Sequence, residues 1–154
     1  MTIKPEHVTA IIDTREQRPL NLDLESEPGT LTTGDYSVKG LEDMLTVERK
    51  SLDDLVGCMT AGRGRFEREL QRMKAYEFRC VVVEADWDDL VKGRYRSRMQ
   101  PAAATHTIAS WTSRFAVPFQ FCGRDRQAVG DYVSFFLFTT AKKLYERLEH
   151  LRKE

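Results

Sequence analysis

Histidine and cysteine are scarce in this chain, three of each among 154 residues, and none recurs at the short spacing a zinc site requires. Cys58, Cys80 and Cys122 lie far apart among apolar neighbours, which predicts reduced core thiols rather than a disulfide framework. No apolar run approaches the roughly 18 residues of a membrane span. The first residues carry Lys4, Glu6 and His7 where a secretory leader would need an apolar stretch. The expectation is an intracellular protein, cytoplasmic or nucleoid-associated, without membrane contact. Net charge is also missing, since 24 Lys and Arg balance 24 Asp and Glu. That balance argues against a protein that merely coats nucleic acid with a basic surface. Nine glycines and five prolines, thinly spread and without a repeat, exclude fibrous and low-complexity classes.

What is present is a globular composition, 41% hydrophobic and 31% charged, at a length that suits one compact domain over residues 1–154. The charge is segregated. Residues 1–60 hold six Lys and Arg against twelve Asp and Glu, and residues 61–154 hold eighteen against twelve. An acidic half suited to metal ions and a basic half suited to a polyanion is one reading of that split; an incidental distribution is the other.

Val8 to Thr14 reads as a buried strand with Asp13 at its C-terminal edge. Pro19, Pro28, Gly29 and Gly34 make 17–33 a loop. Tyr36 to Lys39 and Met44 to Lys50 read as a hairpin turning at Gly40 to Asp43. Ser51 is a good N-cap for a short helix to about Cys58, which Gly62 and Gly64 break. Phe66, Leu70 and Met73 recur at helical spacing, and Phe78 to Glu84 is an apolar run typical of a central strand. A brief helix at Trp87 to Val91, a basic segment, a helix at about 102–115, a strand at Pro118 to Phe121 and a long C-terminal helix complete an α/β pattern.

The period of two puts Glu48 and Lys50 on one face of their strand, at its end. The hairpin brings Asp35 within reach of Glu48, and Asp13 ends another strand nearby. Carboxylates beside an ammonium make a hard-cation site suited to phosphodiester chemistry, with oxygen ligands for Mg²⁺ or Mn²⁺. Arg65, Arg68 and Arg72 share one helix flank, either facing DNA or solvated and paired with Glu67 and Glu69. Lys92, Arg94, Tyr95, Arg96 and Arg98 crowd seven residues without a compensating acid, which suits either phosphate tracking with Tyr95 stacked on a base, or a mobile surface loop. On the last helix Val129, Val133, Phe136, Leu137, Leu144, Leu148 and Leu151 form a core stripe. Phe135, Phe138 and Tyr145 form a second one that predicts a partner surface.

Gly34-Asp35-Tyr36, followed by Glu48-Arg49-Lys50 and by Asp54 after three residues, resembles the signature of the XPF family of structure-specific endonucleases. Ile12-Asp13-Thr14-Arg15-Glu16 resembles that family's opening strand and acidic turn, and Gly64-Arg65-Phe66 its glycine-arginine helix start. The likeness spans roughly residues 8–140. It implies a restriction-endonuclease-like fold, a mixed central sheet flanked by helices, with Mg²⁺ or Mn²⁺ as cofactor. The implied activity is endonucleolytic cleavage of flap, fork or nicked DNA in repair or recombination. By position it makes Asp35 and Glu48 metal ligands and Lys50 the catalytic lysine, with Asp13 and Glu16 supporting the metal shell. Arg49 and Arg65 would contact phosphate, and Asp54 would complete the motif. By strand period Arg49 faces away from Glu48 and suits a buried acid instead, while Asp54 suits a helix N-terminus. The helix-hairpin-helix pair and helicase region of many members have no counterpart in these residues. The resemblance therefore implies a stand-alone nuclease domain, dimeric through about 124–151, with targeting supplied by a partner protein. Two rival readings are a non-catalytic DNA-binding or scaffold subunit and a Mg²⁺ hydrolase of nucleotides or RNA. The intact Asp35, Glu48 and Lys50 argue against the first, and the lack of a phosphate-cradling Gly loop against the second.

Overall fold

The computed structural model describes residues 2–152. After a 3₁₀ turn at Pro5–His7, six strands and five helices follow. In chain order they are β1 (Thr9–Asp13), β2 (Glu25–Gly29), β3 (Tyr36–Val38), β4 (Leu45–Ser51), α1 (Leu52–Met59), α2 (Arg63–Met73), β5 (Phe78–Glu84), α3 (Trp87–Val91), α4 (Pro101–Phe115), β6 (Phe119–Phe121) and α5 (Arg126–Arg152). The sheet runs β2-β1-β3-β4-β5-β6. The β1/β3 and β3/β4 pairs are antiparallel, and the other three are parallel. This is the mixed sheet flanked by helices that the resemblance implied.

Side-chain alternation sorts the two faces. Glu48 and Lys50 stand opposite Val81 and Val83, and Arg49 opposite Val82. Val81 and Val83 join the core made with α1, α2 and α4, around Leu55, Leu70 and the fully buried Trp111. Val47, Val82 and Tyr36 join the other core, under Val133 and Leu137 of α5. The Glu48-Arg49-Lys50 run on β4 is thus split, with Glu48 and Lys50 toward α2 and Arg49 toward α5.

Local chemistry explains the helix starts. The Ser51 hydroxyl accepts a hydrogen bond from the Asp54 amide at 3.2 Å, capping α1. Pro101 opens α4, where its missing N–H costs nothing. Asp89 closes the first turn of α3 by accepting from the Asp86 amide, and it also receives Arg94 at 3.1 Å and Arg124 at 3.1 Å. Those donors, the backbone one first, hold its carboxyl down at about 2.

Three expectations need correction. The segment 17–33 is not all loop, because β2 forms within it. Its sequence ESEPG has no apolar alternation, and as an edge strand parallel to β1 it tolerates Pro28. Gly64 takes no part in the break after α1, which ends at Met59, but lies in the first turn of α2, after Gly62 at its N-cap. On α5, burial stops at Leu144: Leu148 and Leu151 are 59% and 60% exposed. Of the expected second stripe, Phe138 packs against the α5-side core and Tyr145 is half-buried, so only Phe135 stands free, at 67% exposure.

Candidate active site

Asp35 is held by its backbone at the point where three strands meet. Its amide donates to the Val47 carbonyl at 2.8 Å, and its carbonyl accepts from the Asp13 amide at 2.9 Å. The residue before it, Gly34, has a φ of +87°, and an added Cβ there would collide with the Thr46 hydroxyl, so glycine is required for two reasons. The carboxylate Oδ2 of Asp35 then accepts from the Arg49 amide at 2.8 Å. One turn of backbone geometry thereby points Asp35 at β4.

Glu48 meets it there. Glu48 is only 5% exposed, and its carboxyl lies next to those of Asp35 and of Glu69 of α2. Burial, then the Asp35 charge, push its carboxyl well above the usual range. Burial also raises Asp35, and the Arg49 amide offsets only part of the effect. Lys50 completes the cluster. Its ammonium lies 5.2 Å from the Phe66 ring centroid, and Cys58 lines the same cavity as Lys50. Burial would lower its pKa, but Glu48, Cys58, Glu69 and Asp35 together raise it, so the lysine is a cation.

These groups open into a polar groove of about 410 Å³. Asp13, Glu16, Asp35, Glu48, Arg49, Lys50, Asp54, Arg65 and Arg72 all line it, so most of the expected site converges. A second cavity of about 430 Å³ adjoins it, sharing Lys50, Asp54, Arg65 and Glu69 as a common wall. Arg68 and the 92–98 segment line neither.

Several members are already engaged by neighbouring groups. Both oxygens of Asp13 are taken: Oδ2 accepts from the Arg15 guanidinium at 2.7 Å and Oδ1 from the Leu31 amide at 2.9 Å. Burial raises the Asp13 carboxyl, but these bonds outweigh it and the pKa is lowered. Of the three expected metal ligands, only Asp35 and Glu48 face one another. Glu16 receives the Arg49 guanidinium through both oxygens, at 2.9 and 3.1 Å, and the Tyr36 hydroxyl at 2.8 Å. Arg49 also donates to Glu84 at 3.3 Å, and Glu84 accepts from Arg126 at 3.0 Å. Arg49 therefore sits in an ion-pair chain with buried acids on the α5 face, the alternative that strand period offered, while it also lines the groove.

The cations differ from expectation too. Lys92 and Arg94 pair with Asp88, Arg94 also with Asp89, and Arg96 with Asp53. The acids supposed absent from that segment arrive from α3 and α1. Tyr95 donates to the Met99 carbonyl at 2.7 Å and packs against the core, so it is not free to stack on a base. Only Arg98 of the segment lacks an ion pair among the described residues. The α2 row is the reverse case. Glu67 goes to Trp111 Nε1, Arg114 and Arg63, Glu69 turns to Glu48, and the exposed Arg65, Arg68 and Arg72 have no acidic partner among the described residues. Glu69 is the site residue missing from the sequence reading. Its one signal was its place four residues after Arg65.

Among the described residues, no group of three or more His, Cys, Asp or Glu is placed to hold a metal ion. No helix is long and apolar enough to cross a membrane.

The ERCC4 domain profile matches residues 12–142. No curated protein sequence matches the chain. Among solved structures, XPF from Aeropyrum pernix is similar with a TM-score of 0.69 at 22% identity, over 86% of this chain and 61% of that one. XPF from Aeropyrum pernix in complex with DNA is similar with a TM-score of 0.68 at 24% identity, over 88% of this chain and 65% of that one. This chain thus spans less than two thirds of those XPF chains. The profile covers the site from Asp13 to Arg72 and continues through most of α5, and the chain belongs to the ERCC4 domain family.

Proposed function

We propose that this protein is a metal-dependent DNA endonuclease that hydrolyses phosphodiester bonds in flap, fork or nicked DNA, as one nuclease unit, in repair or recombination. The observation that carries this reading is the convergence of Asp35, Glu48 and Lys50 in one groove, with Arg65 and Arg72 of the unpaired arginine row on its lip. A similar fold has been solved with DNA bound. Asp35 and Glu48 present only oxygen donors, which suit Mg²⁺ or Mn²⁺ over softer metals. A Mg²⁺-type ion needs no protein cage, since one or two carboxylates, waters and the substrate phosphate complete its shell. When bound, such an ion supplies Lewis acidity and a water of lowered pKa.

The chain's own groups do the rest. Glu48 is fixed by burial, and Asp35 by the Arg49 amide. The Lys50 ammonium, oriented by Phe66, offers its charge and N–H donors to a phosphoryl oxygen. The arginine row holds flanking phosphates as a sequence-independent contact. A panel of labelled flap, fork, nicked, linear and single-stranded DNA with Mn²⁺ or Mg²⁺ tests the reading. Binding without cutting on every substrate would overturn it in favour of a scaffold subunit.

Replacing Arg65, Arg68 and Arg72 together by Ala should weaken DNA binding similarly across sequences. The slope of log K against log salt should fall by about 2 to 3, at about 0.9 per lost phosphate contact. An unchanged slope would remove the row from the interface. The acid-paired Arg94 and Arg96 are expected to contribute less to that slope.

We also propose a homodimer through α5, now with the apolar surface of Leu148 and Leu151 in place of the Phe138 face. Solution mass should be twice that of the chain, and Leu148→Ser with Leu151→Ser should halve it. A wild-type monomer at micromolar concentration would refute the assignment.

A further inference from the structure

We infer that the cavity beside the groove receives one nucleotide that has left the base stack, next to the phosphate being cut. This rests on the endonuclease reading above and extends it to the form of DNA taken. The cavity measures about 430 Å³, within the range of about 300–1,000 Å³ for sites that hold a small organic ligand. It meets the groove along Lys50, Asp54, Arg65 and Glu69. From there it lies between α1 and α2, with Gly57 and Gly62 in its wall. A Cβ at Gly57 would meet no atom within 4 Å, so neither helix fills the space on that side.

The walls match the parts of a nucleotide. Arg65 has no acidic partner among the described residues, although Asp54 and Glu69 line the same cavity. Its guanidinium is thus available to a phosphate where cavity and groove join. Asp54 presents oxygens to the N–H and O–H donors of a base and sugar, and Phe66 and Cys58 give the apolar side that a base face needs. Extruding a base from intact duplex costs its stacking and pairing, and the cost is least where the base is already unpaired. A pocket to the side of the groove therefore favours DNA interrupted by a flap, fork or nick. The arginine row, which contacts phosphates alone, supplies no such preference.

Gly57→Leu, compared with the wild type by fluorescence anisotropy without divalent metal, provides the test. The DNA is an uninterrupted duplex, an intact flap, and a series of flaps in which one abasic nucleotide is walked across the branch point. Gly57 lines the cavity but not the groove, and leucine favours a helix over glycine, so the variant should melt no lower than the wild type. The wild type should bind the flap about tenfold more tightly than the duplex and lose that factor at one abasic position, the scale of one base contact. Gly57→Leu should bind the intact flap about tenfold more weakly than the wild type does, match it on the duplex, and respond to no abasic position. A wild type indifferent to every abasic position would overturn the inference whatever the variant does. So would a variant that keeps the abasic response, or one that loses affinity for duplex and flap alike. Each of those results leaves the endonuclease reading to its own cleavage panel. The expected binding pattern with no cutting on that panel would sink the endonuclease reading and keep the pocket as part of a DNA-binding site. Failure of the wild type to bind any DNA would overturn both.

Discussion

Glu48→Gln is expected to bind a labelled flap as well as the wild type and to cut it at least about a thousandfold more slowly in Mg²⁺ or Mn²⁺. The magnitude follows from the several kcal/mol of transition-state stabilisation that a correctly held divalent ion contributes, at a factor of ten per about 1.4 kcal/mol. Glutamine keeps the volume of Glu48 in a site that is 5% exposed, so packing changes little. What it removes is the anionic oxygen pair. In the absence of metal the variant should melt no lower than the wild type, because Asp35 and Glu69 lose a like-charged neighbour. Asp35→Ala should show the same loss of cutting. It also vacates the acceptor of the Arg49 amide, so a modest loss of stability is expected with it. Cleavage by Glu48→Gln within tenfold of the wild type would refute the assignment of this groove as the reaction centre.

The order of elements was legible because each strand and helix that faces a core carries its period in the sequence. Phe78–Glu84 and Phe66, Leu70 and Met73 are examples. β2 was not legible, because its pairing with β1 is made by backbone alone and ESEPG presents no apolar side to read. The Asp35, Glu48 and Lys50 cluster followed from a hairpin and a two-residue period, both local. The partners of the cations did not, since Asp53 reaches Arg96 across 43 positions and Arg114 of α4 reaches Glu67 across the interface with α2. Glu69 escaped for the same reason: its meaning depends on the packing of α2 against the end of β4, which no spacing along the chain encodes. The two alternatives held open for Arg49 are separated by how much its pairing with Glu16 and Glu84 matters to the fold.

That separation has a measurable consequence. Arg49→Met should destabilise the fold by about 3–5 kcal/mol, the range for deleting one partner of a buried ion pair. The Arg49 side chain is 16% exposed and its acidic partners 8% and 11%, so the acids left behind cannot be fully rehydrated. For a domain of this size such a loss lowers Tm by roughly 10 °C. Arg49→Lys should fall between, because it keeps the charge but not the two-pronged contact with Glu16. Adding Glu16→Leu to Arg49→Met should recover part of the loss, since a buried pair replaced by apolar groups is often neutral. The recovery is partial because Tyr36 then loses its Glu16 acceptor and Glu84 retains only Arg126. Arg65→Ala provides the contrast: an exposed, unpaired cation should leave Tm nearly unchanged and weaken DNA binding. If Arg49→Met melted with the wild type and lost only DNA affinity, the guanidinium would belong to the phosphate contact after all. The ion-pair chain from Glu16 to Arg126 would then have no part in holding β4 and the Asp35 carboxylate in place.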